Sequence, residues 1–157
     1  MSERGYDNLL LSSLDEITWL LNVRGADIDY NPLVISYLLV SKDSARWFVQ
    51  KAGAEYCGES MASFKDLEAD GVNVCAYDAV LDELAADGGK TIFVDSSTLN
   101  AQVYESVRNA FKEGEIVCGV SPVILQKAIK CSSEIAHLRQ TFINDGVAME
   151  QFLYWLE

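Results

Sequence analysis

Short runs rich in β-branched, leucine and aromatic residues alternate with helix-patterned runs along most of this chain, and that alternation limits its fold more than any other feature. Asn8 to Ser13 reads as a first strand and Asp15 to Leu21 as a helix. Leu33 to Val40 and Ala45 to Gln50 read as a hairpin around Lys42-Asp43-Ser44. Ser60 to Ala69 is helical in pattern, Val72 to Tyr77 is strand-like, and Ala79 to Ala86 is a helix stopped by Gly88-Gly89. Thr91 to Asp95, Ala101 to Phe111 with a cap at Ser97 or Asn100, and Glu115 to Val120 repeat strand, helix and strand. Such a chain is α/β, a sheet flanked by helices, and the early hairpin makes the sheet mixed rather than purely parallel.

Two segments depart from this rhythm. Between Asn22 and Pro32 the first helix gives way to a polar loop that Gly25 and Asn31-Pro32 keep irregular. Asp15 or the serines before it supply the helix cap, and Ile17, Leu20 and Leu21 share one face. At the other end, a helix capped by Ser132 or Ser133 runs to the C-terminus. Ile135, Leu138, Phe142, Met149, Phe152, Leu153 and Leu156 form a broad apolar face, which Ile143, Val147, Tyr154 and Trp155 extend around the cylinder. A helix apolar over most of its circumference requires burial on more than one side, more than a small domain offers.

Composition excludes several functions. A net charge of −12 over 157 residues opposes binding to nucleic acid, which depends on clustered Lys and Arg. Glu68, Asp70, Asp82, Glu83 and Asp87 read as solvated helix surface. The length suits one domain, and the chain has neither a long uncharged apolar run nor a signal-peptide pattern. No membrane span is expected, and the cytoplasm is the default compartment. Cys57, Cys75, Cys118 and Cys131 form no Cys-x-x-Cys pair and read as buried free thiols.

No residue pattern supplies catalysis. His137 is the single histidine and has no His or Cys at metal-ligand spacing. There is no Gly-x-Ser-x-Gly and no phosphate-binding glycine loop, and the adjacent acids Asp15/Glu16 and Asp82/Glu83 point to different sides of their helices, as capping or solvated groups do. The candidate functional surface is the loop, through Asn22, Arg24, Gly25, Asp27, Tyr30 and Asn31. Arg24 is suited to a carboxylate or a neighbouring domain's carbonyl, and Gly25 permits close backbone approach. The alternative is an internal brace in which Arg24 pairs with Asp27 or Asp29.

The run Leu14-Asp15-Glu16-Ile17-Thr18-Trp19-Leu20-Leu21-Asn22-Val23-Arg24-Gly25-Ala26-Asp27, followed by Asn31-Pro32, resembles the segment that opens the middle domain of three-domain Xaa-Pro aminopeptidases. Lys127-Ala128-Ile129-Lys130, Leu138-Arg139, Ile143 to Ala148 with its Asp145-Gly146-Val147-Ala148, and Trp155-Leu156-Glu157 resemble that family's passage into its catalytic domain. The resemblance implies a creatinase/prolidase N-terminal-like fold over 1–130, with 131–157 as the helix leading into a pita-bread metallopeptidase domain. In the family that domain holds two divalent ions, manganese or zinc, on two Asp, one His and two Glu. Its motifs have no counterpart here, so no catalytic or metal residue carries over.

The resemblance further implies a noncatalytic role. The domain would position the catalytic domain of the same polypeptide and limit access by short proline-containing peptides, with the loop as a wall of the substrate entrance. Phe142, Met149, Phe152 and Trp155 would then meet that catalytic domain or, in a homodimer, a second copy. A stand-alone binding or scaffolding domain of the same fold is the alternative, and whether the coding sequence continues into a metal-binding domain separates the two.

Overall fold

The computed structural model describes residues 5–50, 66–87 and 90–157. Its strands are β1 (Asn8–Leu11), β2 (Ser36–Val40), β3 (Ala45–Val49), β4 (Val72–Ala76), β5 (Ile92–Val94) and β6 (Ile116–Cys118). Its fully described α-helices include α1 (Leu14–Leu20), α2 (Val80–Ala86), α3 (Ala101–Ala110), α4 (Pro122–Ala128) and α5 (Ser132–Leu156). The chain forms two compact units, one up to Ile124 and one from Leu125 to Glu157. Most of the expected helix over Ser60 to Ala69, and the Gly88-Gly89 stop, lie outside the described residues.

The six strands lie in the order β4-β3-β2-β1-β5-β6. β1 pairs antiparallel with β2, and β2 with β3, whereas β3–β4, β1–β5 and β5–β6 are parallel. The sheet is therefore mixed: the β2–β3 hairpin gives one antiparallel pair, and β2 gives the other by running antiparallel to β1. The period of two along each strand divides the core between its faces. Leu9, Leu11, Leu38, Trp47 and Phe93 pack with Ile17 of α1 and with Val123. Leu10, Leu39, Phe48, Ile92 and Val94 pack with Val80 and Leu84 of α2 and Val103 and Val107 of α3. The registers agree, since Leu9 faces Phe93 and Leu38 faces Trp47 on one side, while Leu10 faces Val94 and Leu39 on the other.

Several local assignments differ from the sequence reading. In α1, Glu16, Ile17 and Thr18 are buried, while Leu20 is 39% exposed. The helix has only seven residues, and its inner side takes polar groups because their partners are close. Thr18 donates its hydroxyl to the Leu14 carbonyl and Glu16 accepts from Ser121. Glu16 is thus not a solvated acid. The cap of α5 is Cys131, not Ser132 or Ser133, because Glu134 stands three residues beyond it and accepts the Cys131 N–H at 2.7 Å. Asn100 caps α3 by accepting the Val103 N–H at 2.9 Å, and its amide donates to the Tyr37 hydroxyl. Burial, together with that Tyr37 hydroxyl, pushes the neighbouring Tyr77 phenol up to about 12.

The thiols are less buried than their apolar neighbours suggested, with Cys75 half-buried and Cys118 and Cys131 exposed. Cys75 and Cys118 sit in the outermost strands β4 and β6, which have a neighbouring strand on one side only. Cys57 lies outside the described residues.

Two acids expected at the solvated surface belong instead to a bridge between β3 and α2. The Arg46 guanidinium donates to Glu83 and to Asp87, and Lys90 joins the other Asp87 oxygen at 3.1 Å. Asp87 is buried, and these partners occupy both of its carboxylate oxygens. Burial alone would lower the Arg46 pKa, but the bonds and charges of Asp87 and Glu83 outweigh it and the group is raised. Arg46→Ala is expected to cost about 2–3 kcal/mol, because it leaves Asp87 without its main counter-charge. Urea denaturation measures this, and a loss below about 0.5 kcal/mol would mean that Lys90 and solvent compensate.

Candidate functional site

Beyond α1 the chain turns at Asn22, which has φ of 51°, a left-handed value that asparagine accepts more readily than most residues. The Val23 N–H returns to the Thr18 carbonyl at 3.1 Å, and the Gly25 N–H reaches the Pro32 carbonyl at 3.4 Å. A Cβ on Gly25 would lie 2.5 Å from Val34 Cγ2 and 3.0 Å from the Leu33 carbonyl oxygen, so this close approach requires glycine. The Asn31 N–H donates to the Ile28 carbonyl at 3.1 Å and closes the tip, and Asp27 accepts the Ile35 N–H at 2.8 Å. Backbone and Asp27 together make the loop a braced structure.

Arg24 takes no part in bracing through Asp27 or Asp29. Its Nη1 donates to the Val23 carbonyl at 2.7 Å, and among the described residues no ion pair joins it to either acid. The loop is braced instead by its backbone bonds and by Asp27, which accepts the Ile35 N–H. Arg24 is exposed, as are Asn22 and Asn31. Tyr30 is fully exposed and holds φ of 62°, a conformation that costs a non-glycine residue roughly 1–2 kcal/mol.

A polar cluster ties the start of α1 to the segment before α4, and sequence reading did not find it. Glu16 and Ser121 are both buried, and Ser121 donates its hydroxyl to Glu16 Oε2 across 105 residues of chain. The Ser121 N–H donates to Asp95 Oδ2 at 3.1 Å, and Asp95 Oδ1 accepts the Ser97 N–H at 3.0 Å and hydroxyl at 2.6 Å. The available signal was Asp95-Ser96-Ser97-Thr98 directly after a β-rich run, a pattern that favours an aspartate bonding its own turn.

In the second unit, no residue of α5 is buried. Phe142 is 72% exposed, Met149 51%, Phe152 50% and Trp155 76%, and the Phe152 and Trp155 rings stack at 6.2 Å between centroids. His137 is exposed on the same helix. Among the described residues no three His, Cys, Asp or Glu side chains are grouped as metal ligands, so they do not supply the donor set of a dinuclear centre. No described helix is long and apolar enough to cross a membrane.

These features define a mixed six-stranded α/β domain with a braced polar loop, extended by a long exposed helix. The family model for the Creatinase/Prolidase N-terminal domain matches residues 1–134, and the chain belongs to that family. It is 31% identical to Xaa-Pro aminopeptidase 1 of Dictyostelium discoideum over 100% of this chain and 24% of that protein. It is 37% identical to Xaa-Pro aminopeptidase 2 of Mus musculus over 95% of this chain and 22% of that protein. The crystal structure of the Caenorhabditis elegans X-prolyl aminopeptidase, a cytosolic enzyme with a di-nuclear active site, superposes with a TM-score of 0.82 at 26% identity. That likeness covers 99% of this chain and 25% of the enzyme. The chain thus spans about a quarter of the length of these relatives.

The packing at Gly25 yields a direct test of the loop. Gly25→Ala forces the added methyl into the stiff side chain of Val34 and the Leu33 carbonyl, and is expected to destabilise the domain by about 1–3 kcal/mol. A thermal midpoint within about 1 °C of wild type would show that the loop gives way without cost.

Proposed function

We propose that this chain is the noncatalytic domain of a metal-dependent Xaa-Pro aminopeptidase, which removes the N-terminal residue from peptides with proline in second position. The observation that carries this reading is the match of nearly the whole chain to one quarter of a solved X-prolyl aminopeptidase. In this reading 1–130 is the creatinase/prolidase-like domain, and 131–157 is the helix leading into the catalytic domain of the same polypeptide. The exposed apolar side chains of α5 support it, since a helix without a buried residue has its covering surface elsewhere. Two divalent ions, manganese or zinc, belong to the catalytic domain, where they supply a metal-activated water. The residues of this chain position that domain and restrict which peptide ends enter.

The loop is the part assigned to the entrance. Its brace supports this role because Asp27 and the backbone bonds hold the segment that carries Arg24 and Tyr30, while the Arg24 guanidinium bonds the adjacent Val23 carbonyl and stays exposed. Arg24 offers guanidinium donors for a peptide carboxylate or a carbonyl of the catalytic domain. The cytoplasm is the proposed compartment, in keeping with the described location of the Caenorhabditis elegans relative.

Two measurements test this reading. The 157-residue chain with added Mn²⁺ or Zn²⁺ is expected to release nothing from an Xaa-Pro peptide, whereas the full-length polypeptide cleaves it. Saturable cleavage by the short chain, or none by the long one, would refute the assignment. In the full-length protein, Arg24→Ala is expected to lower kcat/KM by about 3- to 30-fold, the effect of losing roughly 1–2 kcal/mol in a charge-assisted contact. Its melting temperature should move by less than about 2 °C, because an exposed charge contributes little to folding. A large fall in melting temperature with unchanged kinetics would make Arg24 a structural residue.

A further inference from the structure

The segment from Gly119 to Ile124 connects the edge strand β6 to the first turn of α4. β6 has only three residues, none of them buried, so its ladder alone is a weak hold. Three anchors at alternate positions supplement it. The Gly119 N–H donates to the Val94 carbonyl at 3.1 Å, Ser121 engages Glu16 and Asp95, and Val123 is buried in the core against the α1 face of the sheet.

Ser121 has little freedom within this arrangement. Its hydroxyl oxygen accepts the Val123 N–H at 3.3 Å, and its one proton goes to Glu16. Glu16 is 3% exposed, so water cannot replace the donors it would lose. Asp95 is held by the two Ser97 bonds while it accepts the Ser121 N–H. One serine therefore joins α1, the end of β5 and the start of α4.

We propose that Glu16 and Ser121 are positioning residues that lock the 119–124 segment to the first turn of α1, so that the loop after α1 and the first turn of α4 are set by one hydrogen-bond network. Its consequence for turnover rests on the aminopeptidase reading above, while the lock itself does not. The lock thus joins the helix that leads into the loop assigned to the entrance to the place where the chain runs on toward the segment assigned to the catalytic domain. Glu16 is assigned to positioning, through the bond it accepts from Ser121.

Hydrogen exchange on the 157-residue chain tests the lock. Ser121→Ala removes the donor to Glu16 and the acceptor of the Val123 N–H, and is expected to speed exchange at residues 121 and 123 by about tenfold or more. Val23 in the loop and Ile35, whose N–H the loop's Asp27 accepts, should quicken at least about threefold, while Leu10 and Leu39 in the central strands stay as in wild type. Ser121→Thr keeps the hydroxyl and should restore protection. If Ser121→Ala does not fold, Glu16→Gln, which keeps the shape and loses the charge, should give the same pattern at smaller amplitude. Unchanged exchange at 121 and 123, or a loop that stays protected while they open, would overturn the proposal. In the full-length protein, kcat/KM should fall about tenfold in Ser121→Ala and recover in Ser121→Thr. A fall that Ser121→Thr does not reverse would count against the lock, whereas a wild-type protein without Xaa-Pro activity would refute the aminopeptidase reading and leave exchange to decide the lock.

Discussion

Burial of β1 on both faces is the constraint to which the other elements answer. All four of its residues are buried, between antiparallel β2 and parallel β5. Leu9 and Leu11 need cover on one side and Leu10 on the other, each worth about 1.5–3 kcal/mol when fully buried. The parallel pairing with β5 also obliges the chain to cross over the sheet, which brings helices onto its faces. Asn8, the polar member, is fully buried and directs Oδ1 to the Ser41 hydroxyl at 2.7 Å. Asp7 and Thr91 fix the start of the parallel pair, since the Asp7 N–H meets the Thr91 hydroxyl at 2.9 Å and Asp7 Oδ2 accepts the Thr91 N–H at 3.0 Å.

With β1 buried on both faces, the exposed features are the loop after α1 and the α5 helix. The loop after α1 is held by backbone contacts, by Gly25 packing and by Asp27, which leaves Arg24 and Tyr30 without structural duties of comparable weight. The α5 helix shows the opposite chemistry, apolar and exposed along its length. A polar, braced loop suits selective contact with peptide or carbonyl groups, while an exposed apolar helix suits permanent burial.

The α/β class, the hairpin and most elements were legible because each core strand carries apolar residues on both faces and the helices carry them on one. The register follows from the same pattern, since a slip of one residue would exchange Leu9 with Leu10 between cores. The partners of certain acids were not legible. Glu16, Glu83 and Asp87 read as solvated because their partners, Ser121 and Arg46, lie far along the chain. Local spacing carries no trace of contacts made by the fold. The cap at Cys131 was overlooked for a different reason, because cysteine is not an expected capping residue even when Glu134 supplies the reciprocal half. In the loop, the choice of glycine at position 25 was readable, but the pairing of Asp27 with a backbone N–H rather than with Arg24 depends on where Ile35 enters β2.

The distribution of acid chemistry separates the core from its attachments. The Thr91 N–H, then its hydroxyl, hold Asp7 below the usual carboxylate range, with Lys90 adding to them against burial. The Ser97 hydroxyl does the same for Asp95, against burial and with help from the N–H groups of Ser121 and Ser97. A carboxylate whose folded pKa is depressed contributes stability that is present above its unfolded value and lost as pH falls through the folded one. For both residues the loss lies at or below the ordinary aspartate range, and neutral pH leaves both contributions intact. Acid therefore acts on the β1–β5 junction and on the anchor at Ser121, whereas the two apolar clusters contain no carboxylate and are not directly affected. The fold thus keeps its titrating bonds at the joints between elements and its apolar packing in the elements themselves.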